Sequence, residues 1–190
     1  MRKSHKGLIS GVFVLAGVMC NVSRAHATDP TTGDLFQFEE FYSPYKCFGT
    51  WGGSMNNGAQ IIEWSCNPGN KAKDQTWMFD TGDCITTSQN GKFCAVKNGM
   101  NEKKCLGTYA GSTSEDAYLV IWDCLGQQHF DQYWQFQQDG ETGCWQILNF
   151  KSALWVDAQW FQVCSGSCGP DHIWQVASPG QRWCPWPATP

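Results

Sequence analysis

Hydrophobic and polar residues alternate over short segments of this chain, and polar turns rich in glycine separate the segments. Residues 117–122 have the sequence AYLVIW, a run of β-branched and aromatic residues, and residues 146–150 have the same character. The dipeptide Asn90-Gly91, with short apolar runs on both sides, is typical of a two-residue β-hairpin turn. The sequence contains no amphipathic stretch of helical period. The pattern therefore predicts an all-β protein built from short strands.

Two parts of the chain repeat each other in register. KCFGTWGGS at residues 46–54 recurs as KCLGTYAGS at residues 104–112, an offset of 58 positions. With one residue of slippage, DQTWMF at residues 74–79 matches DQYWQF at residues 131–136. Internal repetition of this length indicates a fold made of repeated units. The same offset also maps a strand and a second cysteine of one unit onto the other, namely Ile62 onto Val120, Trp64 onto Trp122 and Cys66 onto Cys124.

A third and weaker unit is predicted in the last part of the chain. Residues 147–157 resemble the start of a repeat, with Trp155 at the position of the first cysteine. DQTWMF and DQYWQF are the closing segments of the first two units. DHIWQV at residues 171–176 is interpreted as a degenerate copy of them, which makes Trp174 the closing tryptophan of the third unit. This alignment predicts an insertion at residues 83–101 in the second unit and a shortened middle loop in the third. Each unit is expected to contain about four strands.

The spacing of cysteine and tryptophan within a unit resembles that of the ricin B-type lectin repeat. A cysteine is followed by a tryptophan 17 residues later, by a cysteine at 19 and then by Gln-x-Trp. The likeness covers residues 36–178 and implies an all-β fold, a β-trefoil of three pseudo-symmetric, disulfide-bonded repeats. We expect the trefoil at residues 46–178, after an N-terminal extension and first strand at residues 28–45. Residues 179–190 are expected to form a tail rich in proline and tryptophan.

The cysteines after residue 27 fall into three groups. The resemblance implies the disulfides Cys47–Cys66 and Cys105–Cys124. Cys84 and Cys94 flank the Asn90-Gly91 turn and are predicted to pair with each other. The remaining four allow three pairings, which the sequence leaves open: Cys144, Cys164, Cys168 and Cys184.

The sequence does not predict a metal site or a cofactor. His129 and His172 are the two histidines after residue 27, and neither has ligand spacing to the nearby pair Cys164 and Cys168. An even number of cysteines in this part of the chain instead suits a disulfide-bonded exported protein.

The first 27 residues are interpreted as a secretory signal peptide. A basic start precedes an apolar run at residues 7–19, and Ala25-His26-Ala27 is a small-x-small cleavage signal. Lipoprotein cleavage just before Cys20 is the alternative, for which Met19 is a poor preceding residue. We therefore expect a secreted or periplasmic protein without a transmembrane segment.

The charge balance disfavours nucleic acid as a partner. Removal of residues 1–27 leaves 9 Lys and Arg against 17 Asp and Glu, a net charge of −8. Such a chain has no basic stripe to neutralise phosphates. The tryptophan content points to a different kind of surface, because all 11 tryptophans lie after residue 27, and tryptophan builds cores and flat binding faces.

In the family that the repeat resembles, a sugar pocket has three parts. An aspartate two residues after the first cysteine accepts hydrogen bonds from sugar hydroxyls, a ring stacks on the pyranose, and a polar pair precedes the closing tryptophan. Gly49 and Gly107 occupy the aspartate positions here, so the first two pockets are predicted to lack their main anchor. The ring and the polar pair remain in both units, and they give the carbohydrate-binding candidates Trp64, Asp74, Gln75, Trp122, Asp131 and Gln132.

The third unit offers a different set of candidates. Asp157 lies at the aspartate position, Trp160 or Phe161 is the candidate ring, and His172 replaces the glutamine. The closing tryptophans Trp77, Trp134 and Trp174 are predicted to lie in the core, and Gln75 and Gln132 are predicted to bond to the backbone of their own repeats. Six further tryptophans exceed the needs of a trefoil core, and some are expected to form an exposed aromatic patch: Trp51, Trp145, Trp155, Trp160, Trp183 and Trp186.

These features together predict a secreted, non-catalytic module that binds glycans or glycoprotein receptors. The sequence has no nucleophile elbow, carboxylate pair or metal cluster that would indicate an enzyme. The alternative is a receptor-binding or delivery subunit of a bacterial toxin, because a lone trefoil with degenerate pockets is similar to the A and C subunits of cytolethal distending toxin. Its partners would then be a catalytic toxin subunit and a second trefoil subunit. A Kunitz-type inhibitor is disfavoured because such trefoils lack Gln-x-Trp repeats.

Overall fold

The computed structural model describes residues 29–41, 45–67, 73–89, 91–158, 171–177 and 182–187. The protein is all-β, as the sequence pattern predicts. Its described residues form short 3-10 turns and twelve strands: β1 (Leu35–Glu40), β2 (Lys46–Thr50), β3 (Ala59–Ser65), β4 (Trp77–Thr87), β5 (Gly91–Asn98), β6 (Asn101–Thr108), β7 (Leu119–Asp123), β8 (Tyr133–Gln138), β9 (Trp145–Asn149), β10 (Trp155–Ala158), β11 (Asp171–Val176) and β12 (Trp183–Pro187).

Six of the strands form a closed antiparallel barrel. The pairs run β1–β4, β4–β5, β5–β8, β8–β9, β9–β12 and β12–β1, so the ring ends where it begins. Closure of the ring leaves no barrel strand as a free sheet edge. Two barrel strands, β1 and β12, lie outside residues 46–178, and the expected C-terminal tail therefore supplies part of the barrel at residues 183–187.

The other six strands form three hairpins that cap the barrel. The hairpins are β2–β3, β6–β7 and β10–β11. They meet one another in turn, because Ala59 pairs with Ile121, Asp171 pairs with Glu63, and the Gln175 N–H donates to the Ala117 carbonyl at 3.2 Å. The pairing pattern thus recurs every four strands, which is the arrangement of a β-trefoil.

Three tryptophans make the same bond in successive parts of the barrel. The indole Nε1 of Trp77 donates to Phe48 O at 3.4 Å, and that of Trp134 donates to Leu106 O at 2.9 Å. The third bond comes from Trp183, whose Nε1 lies 3.5 Å from Val156 O. All three side chains are fully buried. The core positions predicted for Trp77 and Trp134 are confirmed, whereas the third closing tryptophan is Trp183 and not Trp174.

The register of the third hairpin explains this correction. Trp155 pairs with Val176 as Cys47 pairs with Trp64, and Asp157 pairs with Trp174 as Gly49 pairs with Ile62. The segment DHIWQV is therefore the second strand of the hairpin and not the closing segment of the unit. Its sequence resembles that of a closing segment, but its strand pairing identifies it as β11. His172 likewise lies opposite Ile62 of β3, and its predicted place before the closing tryptophan is wrong.

The third unit is shortened in a different loop from the one predicted. Twelve residues, 159–170, separate its two hairpin strands, against eight, 51–58, in the first unit. The shortened part is the connection to the closing strand, which is residues 177–182 in the third unit and residues 66–76 in the first. The third unit therefore lacks the long segment that carries Asp-Gln in the other two.

Four disulfides among the described residues fix this arrangement. The three predicted pairs are present as Cys47–Cys66, Cys105–Cys124 and Cys84–Cys94. The fourth, Cys144–Cys184, selects one of the three pairings that the sequence left open. Cys164 and Cys168 lie outside the described residues. Cys84–Cys94 crosslinks the extended β4–β5 hairpin, which accounts for much of the insertion predicted at residues 83–101.

The additional tryptophans have two different fates. Trp145 and Trp183 are buried, so they are core residues and not part of an exposed patch. Trp51 is exposed, Trp155 is half-buried, and Trp160 and the side chain of Trp186 lie outside the description. The core of this protein therefore contains more tryptophan residues than the sequence predicts.

Candidate functional site

The first unit contains an open cavity beside its hairpin, which we call pocket one. Its volume is about 650 Å³, and its lining includes Gly49, Trp51, Trp64, Asp74 and Gln75. Two large rings stand at its rim, because 48% of Trp51 and 56% of Trp64 are exposed. Exposed tryptophan is costly in water and is typical of a binding surface.

Local backbone geometry explains why these rings are presented. Trp64 lies near the end of β3, directly after the buried run Ile61 to Glu63. Trp51 lies in a 3-10 turn directly after β2, where Gly52 and Gly53 have φ values of +61° and +67°. Residues with side chains rarely adopt such values, so the two glycines permit the tight turn that carries the ring.

A carboxylate fills the space left by the missing aspartate of pocket one. A Cβ atom placed on Gly49 would lie 2.9 Å from Gln75 Cγ and 3.0 Å from Asp74 Oδ2. The glycine is therefore required by close packing, and the acceptor beside it comes from Asp74 on the following segment. Gly49 itself supplies no carboxylate, as predicted, but the Asp74 carboxylate lies beside it.

Burial changes the pKa of the Asp74 carboxyl. Desolvation raises the pKa of the Asp74 carboxyl above its usual 3.8, and hydrogen bonds from the backbone N–H groups of Asp74 and Thr50 oppose the shift. A partly buried carboxylate is a stronger hydrogen-bond acceptor than one in bulk water. Asp74 is thus a suitable partner for hydroxyl groups that enter the pocket.

The two glutamines of the repeated segment hold the loops that carry these aspartates. Gln75 Nε2 donates to Ser65 O at 3.0 Å, and its Oε1 accepts from Asn67 N at 3.0 Å. Gln132 makes the matching bonds, to the Asp123 carbonyl at 2.8 Å and from Leu125 N at 2.9 Å. Both side chains are buried, and the prediction that they bond to backbone is confirmed.

The second unit contains a smaller cavity, which we call pocket two. Its volume is about 270 Å³, and its lining includes Gly107, Trp122, Asp131 and Lys151. A Cβ atom on Gly107 would lie 3.2 Å from Gln132 Cγ and 3.3 Å from Asp131 Oδ2, so the carboxylate again fills the space beside the glycine. The same replacement therefore occurs twice in the chain.

The ring of pocket two is braced by the neighbouring unit. A Cβ atom on Gly58 would lie 3.5 Å from Trp122 Cζ3, so the first hairpin passes directly beside the indole. The next residue, Asp123, accepts from Asn57 Nδ2 at 2.7 Å and from Lys104 Nζ at 2.6 Å. The bonds from Asn57 and Lys104 lower the pKa of the Asp123 carboxyl. Trp122 is accordingly less exposed than Trp64, at 38%.

The third unit does not assemble an equivalent pocket from its described residues. Asp157 has the register of Gly49 and Gly107, as predicted, and is half-buried in β10. The ring position of Trp64 and Trp122 is occupied by Val176. Trp160 and Phe161 lie outside the described residues, and only the backbone of His172 is described.

Among the described residues, no three His, Cys, Asp or Glu side chains cluster so as to hold a metal ion. A helix long and apolar enough to cross a membrane is likewise absent among the described residues.

Sequence reasoning missed the packing of Asp74 against Gly49 and of Asp131 against Gly107. A signal was present, because Asp-Gln precedes the closing tryptophan in the two units that carry glycine two residues after the first cysteine. The contact between Gly49 and Asp74 joins segments about 25 residues apart, and only the fold brings them together.

Comparison with known proteins gives a result at the level of structure. No protein-family model matches the chain, and no curated protein matches it. The chain is similar to the designed three-fold symmetric protein ThreeFoil, with 18% identity and a TM-score of 0.60 over 80% of this chain and 96% of that one. It is also similar to an exo-β-1,3-galactanase from Clostridium thermocellum, with 19% identity and a TM-score of 0.61 over 84% of this chain and 31% of the enzyme.

A third similar structure is a Polyporus squamosus lectin, with 11% identity and a TM-score of 0.58 over 82% of this chain and 49% of the lectin. The chain thus spans about a third of the galactanase and about half of this lectin. At such identities the likeness concerns the fold. Topology and comparison agree on it: the chain is a β-trefoil of the kind found in these proteins.

Proposed function

We propose that this protein is a secreted, non-catalytic glycan-binding module of the ricin B type, built from three pseudo-symmetric repeats. Pockets one and two are its binding sites. The single observation that carries the proposal is the pairing, in both units, of an exposed tryptophan with a carboxylate packed against a glycine.

The chemistry of a sugar matches this pairing. A pyranose has one face of C–H groups, which stacks on an indole, and an edge of hydroxyls, which donate to a carboxylate. In this proposal Trp64 and Trp122 stack on the sugar, while Asp74 and Asp131 accept from its hydroxyls. Gln75 and Gln132 act through the backbone, since they hold the loops that carry the aspartates.

The structural neighbours support the same class of ligand. The Polyporus squamosus lectin is bound to a human-type influenza-binding epitope that contains sialic acid. An earthworm lectin domain, with 15% identity and a TM-score of 0.51, is in complex with 6'-sialyllactose. The four disulfides indicate an oxidising compartment, which supports export by the proposed signal peptide.

A second candidate function is that of a receptor-binding module within a toxin. The chain is similar to part of a mosquitocidal holotoxin, with 14% identity and a TM-score of 0.58 over 84% of this chain and 18% of the toxin. The exposed rings Trp51 and Trp64 would serve protein contacts as well as sugars. Under this alternative the partners are a catalytic chain and a second trefoil chain.

A glycan array tests the main proposal on the full chain. We expect the wild-type protein to bind at least one glycan, and Trp64→Ala combined with Trp122→Ala to abolish that binding. Tyr45→Ala is the control, because Tyr45 is an exposed ring outside both pockets. Absence of glycan binding by the wild-type protein, together with capture of a secreted catalytic chain, would support the toxin alternative instead.

A further inference from the structure

Pocket two differs from pocket one in carrying a cation. The Lys151 side chain lines pocket two, and its Nζ donates to Gly111 O at 2.6 Å. A Cβ atom on Gly111 would lie 3.0 Å from Lys151 Nζ and 3.5 Å from Asp131 Oδ1. The ammonium and the carboxylate therefore border the same small space at the mouth of the pocket.

The ammonium of Lys151 retains donor capacity toward a ligand. A lysine ammonium has three N–H donors, and among the described residues this one bonds only to Gly111 O. Lys151 is exposed, and no ion pair joins its Nζ to Asp131 within the described part of the chain. Its two other N–H groups are available to donate to water or to a bound ligand.

The first unit has a methionine at the position equivalent to Lys151, and this residue does not line pocket one. Met100 N donates to Asn98 Oδ1 at 2.9 Å, just as Lys151 N donates to Asn149 Oδ1 at 3.0 Å. Asn98 and Asn149 are themselves equivalent, because they pair with Trp77 and Trp134 in the barrel. The chain thus presents a thioether in one unit and an ammonium in the other from the same turn.

The two pockets consequently differ in charge. Of the described residues that line pocket one, Asp74 is charged and none is cationic. Pocket two holds Asp131 and Lys151, with the imidazole of His129 also in its lining. A negatively charged sugar would meet an unopposed carboxylate in pocket one and a balanced pair in pocket two.

We propose that pocket two takes a sugar that bears a carboxylate group, while pocket one takes a neutral sugar. The inference rests on the proposed glycan-binding function and assigns a ligand class to one of its sites. Trp122 stacks on the pyranose, Asp131 accepts from a hydroxyl, and Lys151 donates to the sugar carboxylate. A hydrogen bond between two charged groups is stronger than one between neutral groups, so Lys151 sets the preference.

Matched neutral and acidic sugars test this assignment on the full chain. The probes are methyl β-galactoside and methyl β-glucoside with their corresponding uronates, titrated at constant ionic strength by NMR. Lys151→Met gives the second unit the residue found at the equivalent position of the first unit and removes the cation from pocket two. Trp64→Ala and Trp122→Ala report which pocket is occupied, and Lys151→Arg tests rescue by another cation.

The expected results separate the two pockets. Lys151→Met should weaken uronate binding about tenfold, the effect of losing one charge-assisted hydrogen bond, while neutral-sugar binding changes less than about twofold. Trp122→Ala should abolish uronate binding, and Lys151→Arg should retain it.

Four results would overturn the inference. Equal weakening of neutral and acidic sugars by Lys151→Met would give the lysine a structural role only. Uronate binding that persists in Trp122→Ala but is lost in Trp64→Ala would place the acid in the wrong pocket. Binding of neutral sugars without any binding of uronates would refute the acidic preference alone, whereas absence of binding to every probe would also refute the proposed function.

Discussion

Pockets one and two share a design and differ in their surroundings. Each has a tryptophan, a glycine with an aspartate packed against it, and a buried glutamine that holds the loop. Pocket one is the larger of the two, with two exposed rings and one acidic group. Pocket two is smaller, contains a lysine, and has its ring braced by the neighbouring hairpin. Repetition therefore preserves the backbone frame, while the side chains at its edge set what each pocket can bind.

The largest expected effect tests the shared frame. Gln75→Ala and Gln132→Ala should each destabilise the protein by about 2–4 kcal/mol, because each removes two part-buried hydrogen bonds to the loop backbone and the packing of a buried side chain. Urea denaturation of both variants measures this. Similar losses would support equivalent frames, and a loss confined to one variant would show that the two loops are held differently.

The next effect tests how tightly the aspartates replace the missing side chains. Gly49→Ala should cost about 1–3 kcal/mol of stability and displace Asp74, because its Cβ would meet Gln75 Cγ at 2.9 Å. Gly107→Ala should cost less, since the corresponding contact is 3.2 Å. Thermal unfolding together with sugar titration checks both variants. A harmless Gly49→Ala would contradict the close packing on which the replacement depends.

Acidification offers a third test, specific to pocket one. Because burial raises the pKa of the Asp74 carboxyl above 3.8, the group should gain a proton and lose acceptor capacity at a pH above that value. The fold disfavours the charged form, so protonation of Asp74 relieves a cost and stability at this residue rises as pH falls through its folded pKa. Sugar binding to pocket one should meanwhile decline.

The measurement uses Trp122→Ala, in which pocket one alone retains its ring. Titration of a neutral sugar at descending pH should show weakened binding before the pH reaches 3.8. Asp74→Asn serves as the reference, because an amide has no carboxyl proton to gain in this range. A pH profile unchanged by Asp74→Asn would exclude this carboxylate as the titrating group.

The smallest effect concerns the brace beside Trp122. Asn57→Ala removes the bond of 2.7 Å from Asn57 Nδ2 to Asp123 Oδ2, and it removes the acceptor for Asp123 N at 2.9 Å and for Lys104 Nζ at 2.6 Å. The Asp123 side chain is exposed, so solvent screens these interactions and the effect is small. We expect sugar binding to pocket two to weaken about twofold with pocket one unaffected. Asn56→Ala, at the adjacent position of the same turn, is the control. An equal change in both pockets would disprove a local brace.

Much of the fold could be predicted because its signals are local and repeated. Cysteine spacing, Gln-x-Trp and the Asn-Gly turn each constrain a short segment, and two units in register support one another. The third unit defeated this approach because DHIWQV resembles the closing segment in composition, whereas its identity is decided by pairing with Trp155 to Ala158. The sequence of a strand alone indicates only weakly which other strand it pairs with.

The structure brings some of the candidate site residues together in ways that the sequence does not show. Trp64 and Asp74 line one cavity, Trp122 and Asp131 line another, and their role in carbohydrate binding stays a prediction. The replacement of an aspartate at Gly49 by Asp74 depends on distances across the fold, and the approach of Lys151 to pocket two depends on the return of the chain after β9. Such contacts follow from tertiary structure, which a motif does not encode.

The pairing of β1 with β12 has a consequence for how the protein is made. The barrel cannot close until residues 183–187 have left the ribosome and crossed any membrane on their route, because they fill the gap between β1 and β9. Until then β1 presents an unpaired edge, which is prone to association with other chains. Closure of the barrel therefore waits for residues 183–187, and this strand, with Cys184 bonded to Cys144, ends the period in which β1 lacks this partner.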